Sequence, residues 1–140
     1  MKRLTLSIIL FAITLFGCGK EEQLTPNEKT EKLLREQVWE LSQTKIDGVV
    51  SSQYDGLTLS FGSGIYTTTN GQSLWEPSGT WEFVGDKGDK ILRDDGLQID
   101  VVSVNASQLV LSFYWDTTIY DGGRVASIEG LHEMTFDRQQ

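Results

Sequence analysis

Residues 89–116 read DKILRDDGLQIDVVSVNASQLVLSFYWD. Apolar and polar residues alternate in three short runs of this stretch, and a period of two places every second side chain on the same face of a strand. Asp95-Gly96 separates the first two runs, and an Asx-Gly pair suits a tight hairpin turn because both positions tolerate positive φ. Asn105-Ala106 separates the second run from the third. The stretch therefore predicts three consecutive antiparallel strands.

The same alternation continues toward both ends of the chain. Leu57, Leu59 and Phe61 alternate with hydroxyl residues, and Trp81 and Phe83 alternate with polar neighbours. One apolar face on each strand is typical of an antiparallel sheet that covers a core. The pattern predicts eight strands, at 38–47, 56–61, 64–70, 79–84, 89–93, 97–104, 107–116 and 126–138.

Eight sequential antiparallel strands in one domain predict an all-β fold, an up-and-down barrel, because closure removes both exposed sheet edges. A two-sheet sandwich is the alternative. Before the strands, residues 25–28 (TPNE) have the spacing of a capping box, with Pro26 at the favoured first helical position. We expect a short helix over 26–37 that packs on one end of the barrel through a face containing Leu33 and Leu34.

The connections between the predicted strands differ in length. In a meander, alternate connections lie at the same end of the barrel, and the second, fourth and sixth are all short. The first, third and seventh, at 48–55, 70–78 and 116–125, are longer than a turn requires. This predicts one closed end and one end ringed by loops, which is where binding residues are often carried.

A ligand at the looped end would meet aromatic residues and one cation. Trp75 is the strongest candidate because it lies in a loop before Pro77, although a loop tryptophan folded back onto the barrel is an equally good interpretation. Arg124 offers a positive charge for a ligand carboxylate, or is a solvated loop residue. The predicted ligand-binding residues are Tyr54, Trp75, Trp115, Tyr120 and Arg124.

The interior of the predicted barrel has two interpretations. Eight strands enclose a space just wide enough for the barrel's own side chains or for one small ligand. Aromatic rings at inward positions could fill that space completely. The candidates are Trp39, Phe61, Trp81, Phe83, Phe113, Trp115 and Phe136. The sequence leaves both a solid core and a ligand cavity open.

The N-terminal residues have a separate pattern. Lys2 and Arg3 precede an apolar run at 4–16, which is shorter than the ~20 residues that span a bilayer. Residues 15–18 (LFGC) close the run, and the whole segment resembles a bacterial lipoprotein signal. The resemblance implies cleavage before Cys18 and acylation of this cysteine, which would anchor the protein to a membrane through two kinds of lipid chain.

This resemblance divides the chain into a signal peptide at 1–17, a lipidated tether at 18–27 and a barrel domain at 28–140. Gly19 follows the cysteine where inner-membrane lipoproteins often carry Asp, so the resemblance implies the outer membrane. Residues 20–22 (KEE) resemble the surface-export signal of Bacteroidetes lipoproteins and equally suit a solvated tether. A periplasmic and a surface location both stay open.

Charge and composition exclude several classes of function. Removal of residues 1–17 takes two of the twelve basic residues and none of the twenty acidic ones, which leaves a net charge of about -10. Such a field disfavours nucleic acid. Asp94, Asp95, Asp100, Glu129 and Glu133 lie at predicted turns or outer faces, and no nucleophile elbow, metal-ligand spacing or phosphate loop is present. We therefore expect no enzymatic activity, no cofactor and no metal.

Several landmarks occur in the order found in one family. They are residues 34–39, Asp47-Gly48, residues 57–61 with Tyr66, residues 78–82, and residues 109–111. Over residues 33–138 the chain resembles the lipocalin-like domains of small bacterial lipoproteins, although Gln37 stands where lipocalins have a glycine.

This resemblance implies a role for two residues in closing the barrel. Trp39 and Arg138 occupy the places of the family's first-strand tryptophan and last-strand arginine, which implies a cation-π contact at the closed end. The resemblance also implies binding of a small hydrophobic or amphipathic molecule. The alternative is a filled barrel that presents its loops to another envelope protein.

Overall fold

A computed structural model describes residues 23–140, so the predicted signal peptide and Cys18 lie outside the described residues. The helix α1 spans Pro26–Arg35. The strands are β1 Val38–Ile46, β2 Val49–Ser51, β3 Thr58–Phe61, β4 Ile65–Thr69, β5 Ser78–Phe83, β6 Lys90–Arg93, β7 Gln98–Val104, β8 Gln108–Trp115, β9 Ile119–Asp121, β10 Arg124–Ser127 and β11 Gly130–Arg138.

Eight of these strands form a closed antiparallel barrel, which confirms the predicted fold. β1, β3 to β8 and β11 each pair with the next of these strands in the chain, and β11 returns to pair with β1. The closing register runs from Trp39↔Arg138 to Ile46↔His132 and is shifted between Leu41 and Gln43. Closure leaves the barrel wall without the open edge that a sandwich would have.

Three short strands lie outside the predicted set. β2 pairs with the last residues of β1, and β9 pairs with β10 in a separate two-stranded sheet. β2 and β9 lie in segments that we predicted as long connections, whereas β10 covers the end of the seventh connection and the first two residues of the predicted eighth strand. For this reason β11 begins at Gly130 rather than at residue 126, since 126 and 127 belong to β10.

The two ends of the barrel differ as the connection lengths predicted. We call the end that carries residues 47–57, 70–77, 94–97 and 116–129 the loop end. The opposite helix end carries the short connections at 62–64, 84–89 and 105–107, together with α1. Both the N-terminus of β1 and the C-terminus of β11 also lie at the helix end.

The helix α1 is held at the helix end by its own cap and by polar contacts with the barrel. The Thr25 side chain accepts a hydrogen bond from the Glu28 amide, and the Glu28 carboxylate accepts one from the Thr25 amide, so the capping box is formed. Asn27 donates to the Gly85 carbonyl at 3.0 Å and accepts from the Gly88 amide at 2.7 Å. These bonds satisfy backbone groups of the 84–89 connection that the strand ladder does not use.

Gly88 should be the most sensitive point of this contact. It has φ +66°, and a Cβ there would lie 2.6 Å from Thr30 Oγ1. We expect Gly88→Ala to cost about 1–3 kcal/mol and to speed hydrogen exchange of the α1 amides more than that of the barrel. Gly85→Ala is the matched control, because Gly85 has φ +75° and open space around its Cβ position. Equal exchange of α1 in the two variants would contradict this expectation.

Side chains pack across the barrel interior. At the helix end, Trp39 is fully buried and its indole donates to the Leu34 carbonyl at 3.0 Å. Trp81 packs edge-on against Phe61 and Phe83, with ring centroids 5.7 and 5.0 Å away. Such edge-to-face packing adds to the free energy gained by burying the rings. Of the seven aromatic residues predicted to face inward, Phe83 and Trp115 are half-buried and the other five are buried.

Among residues 23–140, α1 is too short and too polar to cross a membrane, and no other helix is long and apolar enough.

Candidate functional site

The loop end is closed by a plug, which we define as Leu74 and Trp75 in the 70–77 connection. Both side chains are buried. The Trp75 ring meets Tyr66 and Phe113 edge-on, with ring centroids 5.6 and 6.2 Å away. Trp75 therefore folds back into the barrel and seals it, which is the second of the two interpretations that the sequence allowed.

The loops around the plug are tied to one another by glutamine side chains. Gln53 donates to the Gln72 side chain at 3.0 Å and also to the Val125 carbonyl, while Gln72 donates to the Gln53 carbonyl at 2.7 Å. The buried Tyr54 hydroxyl accepts from the Ile128 amide at 3.1 Å, and burial raises the pKa of this phenol. All three long connections therefore meet above the barrel interior.

Arg93 places a buried positive charge beside the plug. Its guanidinium lies 4.8 Å from the Trp75 ring centroid and 5.7 Å from that of Trp115, and it donates to the Leu74 carbonyl at 2.8 Å. Its Nε and Nη2 also donate to the two Asp95 oxygens, and this pairing lowers the pKa of the Asp95 carboxyl. Sequence reasoning missed Arg93, although its position two residues after the inward Ile91 predicts that it faces inward.

His132 is fully buried between aromatic rings. Its ring is stacked on that of Phe113, with 5.3 Å between the ring centroids and 6° between the ring planes. The centroid of the Tyr54 ring lies 5.7 Å from that of His132. Nδ1 is 2.9 Å from the Gly130 carbonyl oxygen, which can only accept, so Nδ1 carries the proton and Nε2 is a bare acceptor. Burial lowers the pKa of His132 and keeps the ring neutral.

Three buried polar atoms near the loop end have no hydrogen-bond partner within the described part of the chain. They are Thr44 Oγ1, Trp75 Nε1 and His132 Nε2. Thr44 lies two residues before Ile46, the register partner of His132. An unpaired buried polar atom costs about 1–3 kcal/mol, so these three groups offset part of the free energy gained by burial at this end.

The burial of His132 predicts a pH dependence of stability. The unfolded chain has the ordinary histidine pKa near 6.5 and the folded chain a lower one, so below pH 6.5 the unfolded state binds the proton first. The contribution of His132 to stability should therefore be constant above that pH and fall as the pH drops from 6.5 toward the folded pKa. The paired Asp95 adds a loss only at lower pH, near and below its ordinary pKa of 3.8.

His132→Phe tests this expectation, since phenylalanine keeps the ring stack and cannot take up a proton. Urea unfolding between pH ~7.5 and ~5.5 should show a fall in the free energy of unfolding for the parent protein and a flatter profile for the variant. Parallel profiles would assign the pH dependence to other groups.

A cleft opens where β7 and β8 separate. The ladder between these strands ends at Asp100↔Ser112. β8 continues beyond that pair to Trp115, where it is paired only with β11, through His132↔Phe113, Leu131↔Tyr114 and Gly130↔Trp115. The tight turn at 94–97 closes the β6–β7 hairpin before it reaches the residues of β8 nearest the loop end. The last residues of β8 therefore border an open space, which we call the β7–β8 cleft.

The β7–β8 cleft has a volume of about 630 Å³, within the roughly 300–1,000 Å³ of small-molecule sites. Its apolar wall is formed by Leu97, Phe113, Tyr114, Trp115 and Leu131. Its charged residues are Lys90, Asp95, Asp100 and Asp116. Gln98 and Ser112 also line it, so polar and apolar groups are present in comparable numbers, and this combination can bind a small amphipathic molecule.

The structure separates the five residues that were predicted to bind a ligand. Trp115 lines the β7–β8 cleft, while Tyr54 and Trp75 are buried behind it. Tyr120 is on β9 with 70% of its surface exposed. Arg124 lines a different groove, together with Glu76 and Asp121, and so lies apart from Trp115.

The predicted pair at the helix end is aligned but makes a different contact from the one expected. Trp39 and Arg138 are register partners on neighbouring strands. Trp39 is fully buried, whereas Arg138 is exposed. Within residues 23–140, cation-π contacts are formed by Arg93 and none by Arg138. The indole nitrogen of Trp39 is instead fixed by the Leu34 carbonyl.

Comparison of the chain with protein-family models, curated proteins and solved structures gave no match. In residues 23–140, no group of three or more His, Cys, Asp or Glu side chains is arranged to hold a metal ion.

Proposed function

We propose that this protein is a lipid-anchored envelope protein that binds a small amphipathic molecule in the β7–β8 cleft. The observation that carries the proposal is the break in the β7–β8 ladder, which leaves a space of about 630 Å³ bordered by Trp115. The lining combines apolar and aromatic side chains with about as many polar and charged ones, and this mixture suits an amphipathic molecule better than a purely apolar one.

The resemblance of residues 1–18 to a lipoprotein signal supports the anchor. Acylation of Cys18 would tether the chain to the outer membrane, and the charged residues after it would separate the barrel from the lipid surface. The chain enters β1 at the helix end, beyond α1. This leaves the loop end and its cleft on the side of the barrel away from the tether.

Native mass spectrometry of the full chain, extracted from its own envelope in a mild detergent, tests both parts. We expect a mass that lacks residues 1–17 and carries acyl chains, together with a stoichiometric small-molecule adduct. The adduct should be lost in Trp115→Ala and kept in Tyr120→Ala, since Tyr120 is exposed on β9 and outside the cleft. An unmodified Cys18 would contradict the anchor, and a clean protein mass after addition of a lipid panel would contradict ligand binding.

A second candidate function is supported by the packing of the barrel interior. Trp39, Tyr54, Trp75 and Phe136 are each at most 1% exposed and fill the barrel. A filled barrel can act as an envelope interaction module that contacts another protein without a small ligand. This function predicts no adduct and a covalent cross-link between the loop end and one envelope protein in intact cells.

A further inference from the structure

We propose that the amphipathic ligand of the β7–β8 cleft carries a primary ammonium head group. This inference rests on the proposed binding function and names the class of ligand.

The charged residues of the cleft are predominantly acidic. Lys90 is the one cation among the described lining residues, and its Nζ lies 3.6 Å from Asp100 Oδ1. Asp116 accepts a hydrogen bond from the Thr117 hydroxyl at 2.9 Å and has no cationic partner among residues 23–140. The nearby Arg93 is 3% exposed and already bound to Asp95 and the Leu74 carbonyl. Asp100 and Asp95 are therefore each paired with a cation, and the one uncompensated lining carboxylate, Asp116, favours a cationic head group.

The backbone of β8 adds hydrogen-bonding groups to the cleft. The amide and the carbonyl of Leu131 both bond to Asp47, so they point toward β1. In an antiparallel ladder, the register partner Tyr114 then points its own amide and carbonyl away from β11. That direction is toward β7, beyond the last ladder pair Asp100↔Ser112. The Tyr114 carbonyl therefore faces the cleft as an acceptor for an N–H donor, and its amide faces the cleft as a donor, so the choice between a cationic and an anionic head group depends on the acidic side chains.

The aromatic wall suits the same head group and its apolar chain. An ammonium ion is attracted to the faces of tyrosine and tryptophan rings, and Tyr114 and Trp115 both line the cleft. Leu97 and Leu131 offer apolar surface for the chain. A carboxylate head group would instead meet the acidic side chains and would lack a free cation among the described lining residues.

The test compares three probes that share one alkyl chain. Octylamine, n-octanol and octanoate are titrated near neutral pH against the protein as extracted from its own envelope, and binding is followed by tryptophan fluorescence. We expect octylamine to bind at least about tenfold more tightly than octanoate. Asp116→Asn should weaken octylamine binding several-fold and leave n-octanol binding unchanged. Asp86→Asn is the matched control, since it removes the same charge from the helix end.

The outcomes separate this inference from the proposed function. Octanoate binding as tightly as octylamine, or an equal response to Asp116→Asn and Asp86→Asn, would overturn the ammonium head group and leave a binding cleft in place. Failure of all three probes to bind would overturn the inference and the proposed binding function together.

Discussion

Trp75→Ala is expected to destabilise the protein by about 3–5 kcal/mol, the range for removing a large aromatic side chain from a core. Trp75 is 1% exposed and packs against Tyr66, Phe113 and Arg93. Alanine would leave a cavity under the loops and would remove one of the two rings that cover the buried guanidinium. The expected loss of stability is large because one substitution both creates the cavity and uncovers the guanidinium.

Chemical denaturation, with the free energy of unfolding extrapolated to zero denaturant, measures this effect. Trp75→Phe should cost much less, because it keeps an aromatic ring and removes the indole nitrogen that has no partner among the described residues. Tyr120→Ala is the control for loss of an exposed aromatic and should change stability by about 0.5 kcal/mol or less. A similar small effect for Trp75→Ala would mean that the plug does not seal the barrel.

Asp95→Asn is expected to have the second largest effect and to lower the free energy of unfolding by about 2–3 kcal/mol. The variant keeps the size of the side chain and an oxygen that can accept from the Leu97 amide. It removes the charge that compensates the buried Arg93, and breaking a buried ion pair typically costs about 3–5 kcal/mol. We place the effect lower because 42% of the Asp95 side chain is exposed.

A double-mutant cycle tests the origin of this effect. Arg93→Met replaces the buried cation by an apolar chain of similar length, and in that background Asp95→Asn should cost about 1 kcal/mol or less. Asp94→Asn, which removes the neighbouring exposed carboxylate, is the control. Additive effects of Arg93→Met and Asp95→Asn on the free energy of unfolding would show that Asp95 stabilises the protein through its hydrogen bond in the 94–97 turn. The ion pair with Arg93 would then contribute little.

Much of the fold could be predicted because its signals are local. Alternation along residues 89–116 indicated the strands, and the Asx-Gly pairs indicated where they reverse. Thr25 and Glu28 lie three residues apart, and the helix cap that they form depends on no distant residue. The barrel itself followed from the number of strands, since closure is the economical way to remove two sheet edges.

The candidate site could be predicted only in part. Trp115 lines the β7–β8 cleft, and its place at the end of a long predicted strand was the signal for it. Arg124 also lies in a connection at the loop end, as a ligand-binding residue would, but its side chain lines another groove. Sequence proximity to a loop does not specify which side of that loop a residue occupies.

The sequence by itself determined the strand order, the capped helix and the difference between the two ends of the barrel. Only the tertiary structure decided that Trp75 enters the barrel, since its burial requires Tyr66 and Phe113 from two other strands. Only the tertiary structure placed Arg93 between two indole rings that come from a loop and from β8. The cleft likewise depends on where the β7–β8 ladder stops. The local features are set by neighbours along the chain, whereas burial, charge pairing and strand separation are set by residues that meet only after the barrel closes.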